Sequence, residues 1–418
     1  MLTRLRMLWE RVRDSLWFIP TLFSLIAIGV SLLLVYLEEQ FEWKLRDSGY
    51  WLLGGGADGA RLVLSTIAGS LITVTGVVFS VTIVSLQLAS SQFTPRILRN
   101  FMADRSNQIV LGVMISTFTY TLLVLRVIRS KDENGAEFVP HLAVGFAILL
   151  ALTSIAFLIY FIHHSARSMQ AAVILSRITD EALQNVRRLF PDDVGSPEEQ
   201  LPALGLMSGT PLSIASTASG YIQAVDERSL FDFGAERKLL IRMATPVGSF
   251  VVEGQTIAKV WSQSACDDAV QQQIRNAIVI GEQRTPGQDL EFSMIEIVDI
   301  AIKALSPGIN DPTTAVHCMH RLTQILLALG SRRPPAALRT KSGDVHFLAM
   351  HATFEDSVRL AFDQILFFGR ENPEIVRELR RSAEQLLKLL PPQRHSALQS
   401  LLAKLRSLSA ELADQNAW

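Results

Sequence analysis

The chain has 418 residues, 49% of them hydrophobic and only 19% charged, with a formal net charge of −1. A soluble protein of this size carries about 25% charged residues, so the composition excludes a wholly soluble domain. The near-neutral balance argues against a nucleic-acid partner, whose phosphates select a basic surplus.

The charge deficit falls almost entirely before residue 165. Four apolar segments there, 17–37, 62–93, 108–128 and 141–162, are long enough to span about 30 Å of hydrocarbon. The first is too long for a signal-peptide core and lacks a small-residue cleavage site, so it is expected to be retained. Arg4, Arg6, Arg11 and Arg13 precede it, and Arg96, Arg99 and Arg105 lie between the second and third segments. The first connection is acidic, with Glu38, Glu39, Glu42, Asp47 and Asp58. This asymmetry places both termini on the cytoplasmic side of the membrane, although Arg126, Arg129 and Lys131 run against it.

The second segment is longer than a bilayer requires. Its polar residues Thr66, Ser70, Thr73, Ser80, Gln87 and Ser91 fall on a seven-residue repeat, with Val77 and Val84 in the remaining positions and Gly69 and Gly76 beside them. A hydroxyl and amide face in lipid must meet another helix or water. Two readings follow: close helix packing, or copies of this helix lining a water-filled path with Arg96 and Arg99 at its cytoplasmic mouth, favouring anions. No charged residue falls inside the stripe, which disfavours a proton relay or a charge-coupled pump.

Residues 165–209 read as a helix continuing from the fourth span and a Pro-rich linker, "PDDVGSPEEQLP". Short alternating runs such as "GYIQAVD" and "TIAKVW" then predict a small antiparallel barrel or sandwich over 210–262. From 263 to 418 the chain reads as an α-helical bundle, with helices near 266–283, 290–305, 312–329, 346–369, 373–389 and 393–413. Cys266 and Cys318, the two cysteines, leave no disulfide framework and read as small buried apolar residues.

In "ALSPGINDPTTA" (304–315), Pro307-Gly308 ends one helix, and Asp311 caps the next with Pro312 in its first turn. Ser306 and Asn310 exceed what capping needs, as do Arg284, Gln288 and Asp289 in "RTPGQDLEF". These six residues form either a structural joint or an anion site at a helix N-terminus. His317 and His320 share a helix face, but no third ligand is evident. No metal, cofactor or enzymatic motif is expected.

"GVVFSVTIVSLQLASSQFTPRILRNFMADRSNQIVLG" (76–112), "SGYIQAVD", "RTPGQDLEF" and "VDIAIKALSPGINDPTTA" (298–315) together resemble a family of bacterial predicted membrane proteins, domain of unknown function 2254. The resemblance covers roughly 15–400, and Thr313 stands where a larger side chain is expected to be tolerated. It implies four spans followed by a cytoplasmic domain, and no activity. The leading expectation is a homo-oligomeric channel, its second span lining the path of a small ion and its cytoplasmic domain assembling or gating the ring. The alternative is a membrane-anchored sensor or scaffold whose cytoplasmic domain binds a small ligand or a protein.

Overall fold

The computed structural model describes residues 12–13, 15–40, 56–92, 104–130, 138–189, 210–262, 267–332, 338–341, 344–350 and 352–415. Its chain divides into two compact units, 7–170 and 171–418.

The first unit contains helices α1 (Phe18–Gln40), α2 (Ala57–Gln92), α3 (Arg105–Val127) and α4 (His141–Ser168). All four are long and apolar enough to cross a membrane. With 36 residues, α2 is about 54 Å long. Helix α3 packs against the other three, and 50% of its apolar window is buried, against 17–22% for theirs. Its buried side chains Val110, Leu111, Met114, Thr117, Tyr120 and Val124 recur at three- and four-residue spacing, which aligns them on one face. At Gly112 an added methyl would stand only 3.1 Å from the Phe23 ring, so glycine sets how closely α1 approaches α3.

Several polar groups inside this bundle find partners, since a bare one in hydrocarbon costs several kcal/mol. The Tyr120 hydroxyl donates to the Ala143 carbonyl at 3.0 Å, and the Ser154 hydroxyl donates to Thr117 Oγ1 at 3.1 Å. Helix ends are tied across the bundle as well. Glu38 accepts from the amides of Leu142 at 2.7 Å and Ala143 at 3.2 Å, which have no partner within their own helix. Arg61 donates to the Ile128 carbonyl just past α3, at 2.9 Å.

The second unit opens with α5 (Ala171–Leu189). The sequence predicts one helix running on from the fourth span, whereas α4 stops at Ser168 and α5 starts afresh after Met169 and Gln170. The break has a physical reason: Ile174, Leu175, Ile178, Ala182 and Val186 of α5 are buried as the apolar stripe of a globular core, packed on helices of its own unit.

The β region departs further from expectation. Strands β1 (Leu212–Ala215), β2 (Gly220–Val225), β3 (Leu240–Met243), β4 (Phe250–Val251) and β5 (Thr256–Trp261) lie where strands are predicted, but α6 (Glu227–Arg237) interrupts them. Three more strands lie outside 210–262, namely β6 (Ile278–Gly281), β7 (Leu338–Lys341) and β8 (Asp344–Leu348). They build two sheets, ordered β1-β5-β3-β8-β7 and β4-β2-β6, and β3 pairs with β8 in parallel. Closure into a barrel is not seen among the described residues. Ile214, Ile222, Ile241, Val251, Val260, Ile278 and Phe347 from both sheets share one core.

The predicted helix 266–283 is thereby corrected to α7 (Asp268–Asn276) followed by β6. "IVIG" is a continuous apolar run that helical and strand periods fit equally well, and its β-branched residues settle on the sheet. Likewise the helix predicted from 346 begins only at Phe354, where Thr353 and Asp356 form a reciprocal capping box. Helices α8 (Leu290–Ala304), α9 (Pro312–Gly330), α10 (Phe354–Gly369), α11 (Pro373–Leu389) and α12 (His395–Gln415) complete the unit. Helix α9 sits amid α5, α8, α10 and α11 and buries Cys318, Met319, Leu322, Ile325 and Leu326. Burial pushes the Cys318 thiol pKa far up, so it packs as an inert apolar group. Cys266 lies outside the described residues.

Candidate functional site

Two regions carry the polar residues singled out from the sequence. The first is α2. Leu64, Ala68, Leu71, Val78, Thr82, Ser85 and Ala89 are buried, and with half-buried Thr75 they follow alternating steps of four and three residues. Thr66, Ser70, Thr73, Val77, Ser80, Val84, Gln87 and Ser91 follow the same steps and are all exposed. The second set is displaced from the first by two residues, roughly 200° around a helix. Helix α2 therefore carries two heptad seams on opposite faces, one filled by its own chain and one not.

The hydroxyls of the open seam are partly self-satisfied. Thr66 donates to the Leu62 carbonyl, Ser70 to Thr66 and Thr73 to Gly69, at 2.7, 2.7 and 3.0 Å, and Ser91 donates to Leu88 at 3.0 Å. Their lone pairs still face outward. Gly69 and Gly76 have open space where a side chain would stand, so a second backbone can approach them closely. Arg96 and Arg99 lie outside the described residues.

The second region is the pair of loops flanking α8. Asp289 caps α8 by accepting from the Phe292 amide at 3.1 Å, and it takes Arg284 in a two-pronged pair at 2.6 and 2.7 Å. The Asp289 side chain is 2% exposed and that of Arg284 18%. Gly248, at φ 91°, passes so close that any Cβ would strike both charged groups. Gln288 clasps β2, accepting from the Val225 amide at 2.9 Å and donating to the Val225 carbonyl at 3.2 Å. Asn185 of α5 donates to the Pro286 carbonyl at 2.7 Å. Glu291 stands 3.6 Å from Arg284; burial raises its carboxyl pKa and the arginine offsets only part of that. With its fork on the Asp289 carboxylate, Arg284 clamps the loop to the start of α8.

Ser306, Asn310 and Asp311 sit at the other end of α8. Asp311 caps α9, accepting from the Thr314 amide at 3.0 Å and its hydroxyl at 2.6 Å. Asn310 takes a left-handed φ of 47°, a conformation asparagine tolerates better than most residues. Ser306 donates to the Lys303 carbonyl at 2.6 Å. The fifteen residues of α8 put about 22 Å between the two loops. The six residues do not converge, and each set is accounted for by joining elements.

Asp311 yields a testable consequence. Its hydrogen bonds to Thr314 hold its pKa below the ordinary value. The contribution is complete above the ordinary carboxylate range and is lost as pH falls through the lowered folded value. Asp311→Ala should cost about 1 kcal/mol at neutral pH and lose less on acidification than the parent, as thermal melts across acidic pH will show. An equal acid dependence in both proteins would remove Asp311 as its source.

His317 and His320 lie 6.5 Å apart between ring centroids, and His320 pairs with Glu378 at 3.0 Å. Among the described residues no three His, Cys, Asp or Glu side chains group as metal ligands.

The family model described as "Predicted membrane protein (DUF2254)" matches residues 13–385. The chain belongs to that family. An uncharacterized protein of Mycobacterium tuberculosis is 32% identical over 425 residues, covering 100% of this chain and 80% of the relative. An uncharacterized protein of Mycobacterium bovis is 31% identical with the same coverage. No solved structure matches. For this DUF2254 member the four apolar helices agree with the family description. Sequence reasoning found the open seam of α2 but missed its buried twin. The signal was present as Leu64, Ala68, Leu71, Val78 and Ala89, with Thr75, Thr82 and Ser85 on the same seam, hidden because apolar positions do not stand out in a helix that is apolar all round.

Proposed function

We propose that this DUF2254 protein forms homo-oligomers in the bacterial inner membrane, with α2 from each copy lining a pore. The single observation that carries the reading is the second heptad seam. A polar seam running the length of so apolar a helix must meet another helix or water, and the chain itself covers only the opposite seam. The residues on the open seam are hydroxyls, an amide and two valines, a lining compatible with water and poorly matched to lipid. Thr66, Ser70, Thr73, Ser80, Gln87 and Ser91 face the path. Arg96 and Arg99, which lie outside the described residues, supply the positive charge that biases the cytoplasmic mouth toward anions, and the 171–418 unit assembles or gates the ring.

Flux through vesicles reconstituted with the full chain tests this, with potassium chloride as the probe. A salt leak above that of empty vesicles is expected. Tight vesicles holding correctly assembled protein would favour the anchored sensor or scaffold, in which 171–418 carries the function.

A further inference from the structure

Where the last third of α2 meets the start of α3 and the end of α4, a small cavity lies on the packed side of α2. Thr82, Ser85, Asn107, Ser165 and Ser168 line it, together with Leu86 and Phe161, and its volume of about 10 Å³ holds one water-sized body. It stands across the helix from the open seam, so it is separate from the proposed path. Asn107 is only 6% exposed, and its Oδ1 is buried without a hydrogen-bond partner. Such an orphan acceptor is costly and calls for an occupant.

The lining specifies what that occupant is. Thr82 spends its hydroxyl proton on the Val78 carbonyl at 2.8 Å, and Ser168 spends its own on the Ser165 carbonyl at 3.1 Å. Both oxygens therefore retain only lone pairs, and Asn107 Oδ1 adds another acceptor. Ser165 and Ser168 lie in the last turn of α4, the negative end of a helix dipole. The opposing positive end of α3 is covered by Asp104, whose carboxylate accepts from the Ser106 amide at 2.9 Å and pairs with His164 at 3.1 Å. Among the described residues, no charged side chain lines the cavity. Neutral oxygens at a helix C-terminus suit a hard monovalent cation. A divalent ion would require carboxylates.

We propose that this cavity is a binding site for one dehydrated monovalent cation of about sodium size, locking the last third of α2 to the start of α3 and the end of α4. The proposal is independent of the pore reading, since it requires neither a second copy nor flux. It is tested on the full chain in detergent by thermal melts in sodium, potassium, lithium and choline chlorides at constant ionic strength. A saturable rise in midpoint with sodium of about 3 °C or more is expected, with little or none in choline. Asn107→Leu should abolish the rise. Ser168→Ala, a milder change at a half-buried position that should leave the fold intact, should shift the sodium concentration at half-effect upward about tenfold. Equal midpoints in sodium and choline, or an undiminished sodium response in Ser168→Ala and in any folded Asn107→Leu, would mean that an ordered water fills the cavity and would overturn the proposal.

Discussion

Thr73→Leu and Ser80→Leu are each expected to reduce potassium chloride flux by about tenfold or more while leaving the native oligomer mass unchanged. Both side chains lie on the open seam of α2, and neither touches the buried face that holds the four helices together. Leucine replaces a hydroxyl that water can contact with a branched apolar group. Repeated around a ring, that makes a constriction from which water withdraws, and an apolar constriction gates by dewetting. The matching control is Val78→Ala on the packed seam, where Val78 is 1% exposed. It should lower stability by a cavity cost of about 1–3 kcal/mol and leave flux per assembled particle unchanged. Loss of flux in the control alone, with both leucine variants conducting normally, would contradict the assignment of the seam.

Asp289→Ala is expected to be the most destabilising single change in the 171–418 unit, at about 3–5 kcal/mol. Removing one partner of a buried ion pair strands the other charge, and here the same carboxylate also caps α8. A thermal melt of the full chain should show a drop of about 10 °C for a unit of this size. Arg284→Met alone should cost a similar amount, because it leaves Asp289 buried and uncompensated. The double variant should lose clearly less than the sum of the two, the coupling expected of residues in direct contact. Simple additivity would mean that the two side chains do not depend on each other, and the 2.6 Å contact would have no energetic weight.

Legibility in the sequence followed the strength of the local signal. The four spans were readable because a run of about twenty apolar residues matches the thickness of hydrocarbon and exceeds what a buried core helix uses. The α8–α9 joint was readable because Pro307, Gly308, Asp311 and Pro312 each have a fixed positional meaning. Strands β6, β7 and β8 were not, since four or five residues show no period and their pairing depends on distant partners such as β3 and β2. Arg284 and Asp289 stand out in the sequence as polar residues beyond what capping needs, but their pairing does not. Sequence cannot show that an arginine five positions from an aspartate is folded back onto it. The cavity was out of reach altogether, because Thr82, Asn107 and Ser165 come from three separate helices and each is ordinary alone.

The central claim is that α2 helices of several copies together enclose a path that their open seams face, and the mass of the detergent-purified particle tests it most directly. Native mass spectrometry should give a defined multiple of the 46.3 kDa chain. Gly76→Leu, which adds bulk where there is now open space, should break that multiple down toward the single chain. A wild-type particle that is monomeric across mild detergents would leave one α2 with nothing to enclose a path, and would contradict the account.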